Sequence, residues 1–226
     1  MILAIESSDR LCSVALWHEG QTVIAFESEL PMQHTRLLGG WVEQALAFAA
    51  DQPAFQNQAP RAVVVANGPG SFTGLRIGVS YARGFAYGRD LPVVALSNHQ
   101  ILAVQHPHFG LKDPGISLIR SRAGEVYMAR MESDSGYPRI LEHKVMALDK
   151  VREALEGIGW ITLSPYLHVD ENRKAEWQTE DRIVHTKTAY HAALLAPLGQ
   201  LKLERFGADE DKALDPLYIH PFAGRL

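Results

Sequence analysis

Glycines 68, 70 and 74 lie in the stretch Asn67-Gly68-Pro69-Gly70-Ser71-Phe72-Thr73-Gly74, between an apolar run and a helical pattern. Glycine lets a ligand approach the backbone, and a helix N-terminus offers unpaired N–H groups, so this arrangement suits a phosphate. Ser71 and Thr73 add hydroxyls and are residue types that cap helices. A second polar turn, Glu6-Ser7-Ser8-Asp9, follows the first apolar run and brings a carboxylate and more hydroxyls. Glu6, Ser7, Gly68, Gly70, Ser71 and Thr73 are therefore the candidate cofactor-binding set. The chemistry they would serve is that of an ATPase or kinase, with the 6–8 turn and the 68–73 loop on the phosphates. A dinucleotide fingerprint is disfavoured. Pro69 removes an amide donor. Three strand-like segments and a helix precede the loop, and the next strand closes on Leu96-Ser97-Asn98 without the acidic residue a ribose needs. No GxxxxGK[ST] occurs, and Ser71 lacks the Gly-x-Ser-x-Gly setting of a hydrolase nucleophile.

Metal and redox chemistry find little support. His34 opens a helical pattern, but the residue four further on is Leu38, so the metal-binding pair is incomplete. His106 and His108 flank Pro107 in a loop without an evident carboxylate. Cys12, the one cysteine, lies in an apolar run and reads as a small core residue. Arg120 and Arg122 read as a solvated hairpin end.

These residues need elements to hold them. Residues 1–5, 12–17 and 21–29 predict three strands joined by short turns, an antiparallel meander. Residues 35–50 place Leu37, Leu38, Trp41, Val42, Ala45, Leu46 and Ala49 at helical spacing. Residues 63–65 are a buried strand, and 72–87 a helix in which Gly74, Gly78, Ala82 and Ala86 recur every four residues. Glycine inside a helix costs about 1 kcal/mol against alanine. The compensation is close approach of another backbone, from the sheet or from another chain. Residues 91–96 add a strand, and 97–104 a helix. After a Pro/Gly cluster at 106–114 the second half opens on strands at 116–119, 125–132 and 139–146. A short helix (150–156), a strand (160–163) and a helix (188–203) follow, with Pro197 expected to kink or end the last. Residues 215–221 close the chain as an extended segment. Both halves run strands first and helices after. The expectation is an α/β protein of two related domains, 1–105 and 106–226, with the tail packing back on the first.

Composition narrows the class. The 226 residues carry a net charge of −4, against the basic excess of a chain that grips nucleic acid alone. A single cysteine permits no intrachain disulfide and favours a reducing cytoplasm. No apolar run is long enough for a membrane span, and the opening MILAI has neither basic residues nor a cleavage site of a signal peptide.

The stretches MILAIESSDRLCSVAL, His34 followed by Leu37-Leu38, and NGPGSFTGLRIGVSYARGFAYG with LPVVALS after it resemble the TsaB (YeaZ) family. The similarity continues more weakly through RAGEVYMARM and DPLYIHP and fades over 157–188. The resemblance implies an actin-like (ASKHA) fold of two domains. It implies a non-catalytic scaffold that activates the catalytic subunit TsaD, which transfers threonylcarbamoyl to adenosine 37 of tRNAs reading ANN codons. It implies the ATPase TsaE as a further partner, a homodimer when alone, and tRNA contact only through the complex. No cofactor is expected on the chain alone, and ATP or ADP is expected where subunits meet. The interface is expected on Leu37, Leu38, Trp41, Gly74, Leu75, Gly78, Val79 and Ala82. Two positions depart from the pattern: Glu6 replaces an expected aspartate, and Arg120-Ser121-Arg122 replaces Asp-Ala-Arg. Older labels for the group invoke a peptidase, whose machinery is missing from this sequence.

Overall fold

The structure, a computed structural model, describes residues 1–29 and 33–217, and of His34 only the backbone. The chain divides into two compact units, Met1–Asn98 with Tyr190–Pro216, and His99–Ala189. The boundary falls at Asn98 and not at 105, and the chain returns to the first unit at Tyr190.

The first unit opens with β1 (Ile2–Glu6), β2 (Cys12–His18) and β3 (Gln21–Ser28), followed by α1 (His34–Asp51), β4 (Ala62–Gly68), α2 (Phe72–Tyr87) and β5 (Val93–Ser97). Its sheet has the order β3-β2-β1-β4-β5. Short polar turns make β1, β2 and β3 antiparallel, and helical crossovers make β1, β4 and β5 parallel. The central strands are covered on both faces, which is why they read as unbroken apolar runs. Leu3, Ile5, Val63 and Val65 share a core with Leu38, Val42 and Ala45 of α1 and with Val79 and Ala82 of α2.

A short helix α3 (Asn98–Ala103) crosses the boundary. The second unit then holds β6 (Gly115–Arg120), β7 (Glu125–Asp134), β8 (Tyr137–Ala147), a 3₁₀ segment (Leu148–Ala154), β9 (Trp160–Leu163), α4 (Glu171–Trp177) and β10 (Ile183–His185). The order β10-β9-β6-β7-β8, counted from β6, repeats that of the first sheet. Again the first three strands are antiparallel and the crossovers parallel. The duplication visible as strands-then-helices is thus one of topology.

The sequence pattern missed α4 and β10. Both are short, with α4 started by Asp170, whose side chain accepts a hydrogen bond from the Arg173 N–H at 2.9 Å. Arg182 pins this segment by donating to the carbonyls of Leu155, Ile158 and Trp177 at 2.9–3.0 Å.

The last helix, α5 (Ala192–Phe206), starts later than the predicted 188 and runs through Pro197. It packs on β1, β2, β4 and β5 of the first unit. Ala192 N–H donates to Ser13 Oγ at 2.8 Å, and Gly199 lies against Val64. Behind it, Asp209 covers the edge of β5: its N–H donates to Val93 O at 3.0 Å, and its carboxylate accepts from Ala95 N–H at 2.7 Å and from Lys202. A 3₁₀ turn (Asp211–Leu214) follows, and most of the predicted 215–221 segment lies outside the described residues. Among the described residues no helix is long and apolar enough to cross a membrane.

A Cβ at Gly199 would overlap the Val64 side chain, so Gly199→Ala lowers stability by about 1–3 kcal/mol; urea denaturation measures it. In the second unit His99 and His106 are buried, with His99 Nδ1 3.0 Å from Ser117 Oγ. His106 Nδ1 accepts from the His108 N–H at 3.0 Å and Nε2 meets the Ile183 carbonyl at 3.2 Å. Burial lowers His99 to about 3 and His106 to about 4. Both values lie below the ordinary one, so these rings contribute stability above about pH 6.5 that is lost as pH falls toward 4 and 3. Their ring Cε1–H resonances are expected to stay flat from pH 8 to 5 in an NMR titration.

Candidate functional site

Parallel pairing of β1 with β4 sets the C-terminal ends of these strands side by side. The turn after β1 therefore meets the loop after β4, the place where open α/β sheets carry ligands. Gly68 has φ +112°, a conformation that favours glycine, and the Gly68–Pro69 peptide is cis. Ser71 then caps α2, its Oγ accepting from the Gly74 N–H at 3.3 Å.

The turn and the loop are bonded to each other. Ser71 N–H donates to Ser8 O at 2.6 Å, and Ser7 Oγ donates to Gly74 O at 2.8 Å. Asn98 Nδ2 donates to Ser8 Oγ at 2.7 Å and to Pro69 O at 2.8 Å, and Ser97 Oγ donates to Gly68 O at 3.0 Å. Ser8 gives both its N–H, at 2.5 Å, and its hydroxyl to Glu6 Oε1. Sequence reasoning missed Asn98, which lies far from Ser8 along the chain and reaches it only because β5 ends beside β4.

Glycine serves this closure. A Cβ on Gly70 would overlap Ser8 O, one on Gly74 would overlap Ser7 O, and one on Gly78 would overlap Ser7 Oγ. The small stripe of α2 thus faces the chain's own β1–β2 turn.

Glu6 is fully buried. Burial pushes its carboxyl up to about 7, against the two Ser8 hydrogen bonds that favour the ionised form, with Asp9 adding to the rise. Cys12, buried on β2, is pushed up to about 12 by burial and by Glu6, so it stays a thiol.

The six candidate cofactor residues come together, but they do not fit a nucleotide's phosphates. Glu6 and Ser7 are buried, Ser71 N–H is bonded to Ser8 O, and Ser8 O fills the space beside Gly70. Gly74 and Leu75 N–H groups both bond to Ser71. Thr73 is exposed and Gly68 buried, neither presenting a cradle.

The expected interface set separates by burial. Leu38, Leu75, Val79 and Ala82 lie in the core, and Gly74 and Gly78 face Ser7. These six are internal because the apolar face of each helix covers the sheet. Leu37 and Trp41 are half-buried, Trp41 stacking on Phe26 with ring centroids 6.1 Å apart. The opposite faces carry residues 37, 40, 41 and 44 on α1 and 77, 80, 81 and 84 on α2, at helical spacing. A Cβ on Gly39 would lie 3.8 Å from the Tyr81 ring, in ordinary contact, where the two helices meet. Gly40 and Gly84 are exposed, and nothing lies within 4 Å of where their Cβ atoms would be.

The side chain of His34 lies outside the described residues, so the His34–Leu38 spacing has no structural counterpart. Among the described residues no three histidine, cysteine or acidic side chains group as metal ligands. Arg120 and Arg122, on the β6–β7 hairpin, line a hollow of about 400 Å³ with Leu148, Leu167 and His168.

Residues 29–161 match the family model of TsaD, tRNA N6-adenosine threonylcarbamoyltransferase. The tRNA threonylcarbamoyladenosine biosynthesis protein TsaB of Escherichia coli K12 is 35% identical over 133 residues, 59% of this chain and 55% of that protein. The TsaB of Haemophilus influenzae is 29% identical over 182 residues, 73% of this chain and 75% of that protein. The alignment thus spans about half the length of the E. coli relative. Among solved structures, YeaZ from Pseudomonas aeruginosa superposes with a TM-score of 0.73 at 25% identity, covering 96% of this chain and 98% of that one. The fold is the actin-like one, two mixed sheets with flanking helices.

The packing of Ser7 against α2 gives a double-mutant test. Gly78→Ala is expected to cost about 1–3 kcal/mol in the wild-type chain and nothing in a Ser7→Ala background, because its opponent is the hydroxyl. Gly74→Ala is expected to cost the same in both backgrounds, because its opponent is a carbonyl of the backbone. Denaturation midpoints of the single and double variants check both.

Proposed function

This chain belongs to the TsaD family of tRNA N6-adenosine threonylcarbamoyltransferases, among its TsaB (YeaZ) members, and from that membership we propose that it is a non-catalytic, activating subunit of threonylcarbamoyl transfer to tRNA. It docks a TsaD-type catalytic subunit through the outer face of α1 and α2. The transfer is to adenosine 37 of tRNAs reading ANN codons, and tRNA is met only in the complex, in keeping with a net charge of −4. A TsaE-type ATPase joins the assembly, and in the absence of its partners the same face pairs with a second copy.

The observation that carries the reading is the pair Gly40 and Gly84. Each costs about 1 kcal/mol of helix stability against alanine, and neither is compensated by a neighbour in its own unit. Beside them, Leu37, Trp41, Ile77 and Tyr81 leave apolar surface half-covered. Bare backbone flanked by aromatic and aliphatic side chains suits a close helix-on-helix contact, with Trp and Tyr as anchors. The ATPase or kinase reading is weakened by the 68–73 loop, whose Ser71 N–H is bonded to the Ser8 carbonyl of the turn. ATP or ADP, where subunits meet, would find cations in Arg120 and Arg122, which line one hollow together with Glu125.

Titration calorimetry with the TsaD-type subunit of the same organism tests the docking face. Wild type is expected to bind, and Gly84→Arg or Gly40→Arg to lose at least about tenfold in affinity with an undiminished denaturation midpoint, since arginine is the better helix former. Glu180→Arg, exposed in the second unit, is expected to bind as wild type. Full affinity in both glycine variants, or ATP turnover by the chain alone, contradicts the reading.

A further inference from the structure

Glu6 ends β1 with no exposed surface, and Ser8 gives both of its hydrogen bonds to one oxygen, Oε1. Among the described residues Oε2 has no partner, and neither has Asn98 Oδ1. The carboxamide cannot be turned over to help. Its other end faces Pro69 O, a pure acceptor, so Nδ2 must stand there. Both leftover oxygens are therefore acceptors while Glu6 is ionised. A proton on Oε2 converts one of them to a donor and removes a buried charge.

Beyond the two Ser8 hydrogen bonds, the groups around Glu6 offer the charge no relief. From its own turn comes Asp9, a second negative charge, and from β2 comes the Cys12 thiol. The loop after β4 and the end of β5 bring Pro69 O and Asn98, neither of which titrates.

What Glu6 holds, through Ser8, is the seat of α2. Ser8 O receives the Ser71 N–H at the helix cap, Ser7 Oγ bonds Gly74 O, and Gly70, Gly74 and Gly78 have no room to spare against this turn. A shift of the turn must carry the first half of α2 with it.

We infer that Glu6 in its neutral form is a positioning residue for the docking face: the proton keeps the 6–9 turn closed on α2, and its loss loosens the turn and withdraws the outer face of α2 from its docking geometry. The inference rests on the docking reading given above. With the carboxyl raised to about 7, the neutral fraction falls from about nine-tenths at pH 6 to about one-tenth at pH 8. If the neutral form alone docks, affinity for the catalytic subunit falls about tenfold over that range.

The test uses the full chain labelled with ¹⁵N-glycine and ¹³C-glutamate. In wild type the Glu6 carboxyl carbon and the amides of Gly70, Gly74 and Gly78 are expected to titrate together near pH 7. In Glu6→Gln the three amides stay flat, and the affinity measured by calorimetry no longer varies between pH 6 and 8. A Glu6 midpoint near 4.5, flat glycine amides in wild type, or titration that survives in Glu6→Gln overturns the inference. The carboxyl carbon reports on wild type, so the inference can be overturned even if the variant does not fold. Should wild type bind no catalytic subunit at any pH, the docking reading fails, and the glycine amides still decide whether Glu6 moves α2.

Discussion

The carbonyl oxygens of Ser7 and Ser8 occupy the space that side chains at positions 74 and 70 would need, and the Ser7 hydroxyl does the same at 78. This contact follows from the sheet. Once β1 and β4 pair in parallel, the turn leaving β1 and the helix entering after β4 compete for one volume above the strand ends. Larger residues at 70, 74 or 78 would lift α2 off the sheet and open its core against Val65 and Ile5. Each helical glycine costs about 1 kcal/mol in propensity. Here that cost is offset by hydrogen bonds formed across the contact, such as Ser7 Oγ to Gly74 O, and by the buried apolar face behind it.

The same strand order occurs in both sheets, yet the two units are completed differently. The first gains α5 from the far end of the chain, which covers the face of the sheet that α1 and α2 leave bare. Its fit depends on Gly199 over Val64 and on Asp209, which bonds the open edge of β5 as another strand would. In the second unit the crossover helices shrink to a 3₁₀ segment and the seven-residue α4. Such short pieces have little propensity of their own. Trp177, fully buried, and Arg182, which satisfies carbonyls from three places, hold them.

Elements with long periodic patterns were legible in the sequence. The predicted helices at 35–50 and 72–87 match His34–Asp51 and Phe72–Tyr87 to within a residue at each end. The first two strands and the strand at 160–163 were equally plain as apolar runs, and the third showed as a loose polar–apolar alternation after a turn. The GPGSFTGLRIG string carried the family. What the sequence withheld was direction. A four-residue repeat tells which residues of α2 share a face, but not whether that face meets the sheet or the solvent. Leu75, Val79 and Ala82 accordingly read as surface for a partner when they are core. Asn98 was invisible for another reason: its partners Ser8 and Pro69 are fixed by strand order, which no local pattern encodes. The α4 and β10 segments were missed because seven and three residues are too few to show a period.

A phosphate loop and a helix seat use the same residues, and what fills the place of the missing Cβ decides between them. Beside Gly70 and Gly74 that place holds the protein's own carbonyls, so the N–H of Ser71 and the bare backbone of α2 are engaged within the unit. Pro69 has no N–H to contribute in any case. An ionised Glu6 carboxyl beside Asp9 would add negative charge next to this loop and repel an anion. Gly40 and Gly84 differ in kind, since no atom of the unit stands where their side chains would be. The inward glycines fix where α2 sits, and the outward ones leave backbone bare on its far side and on that of α1.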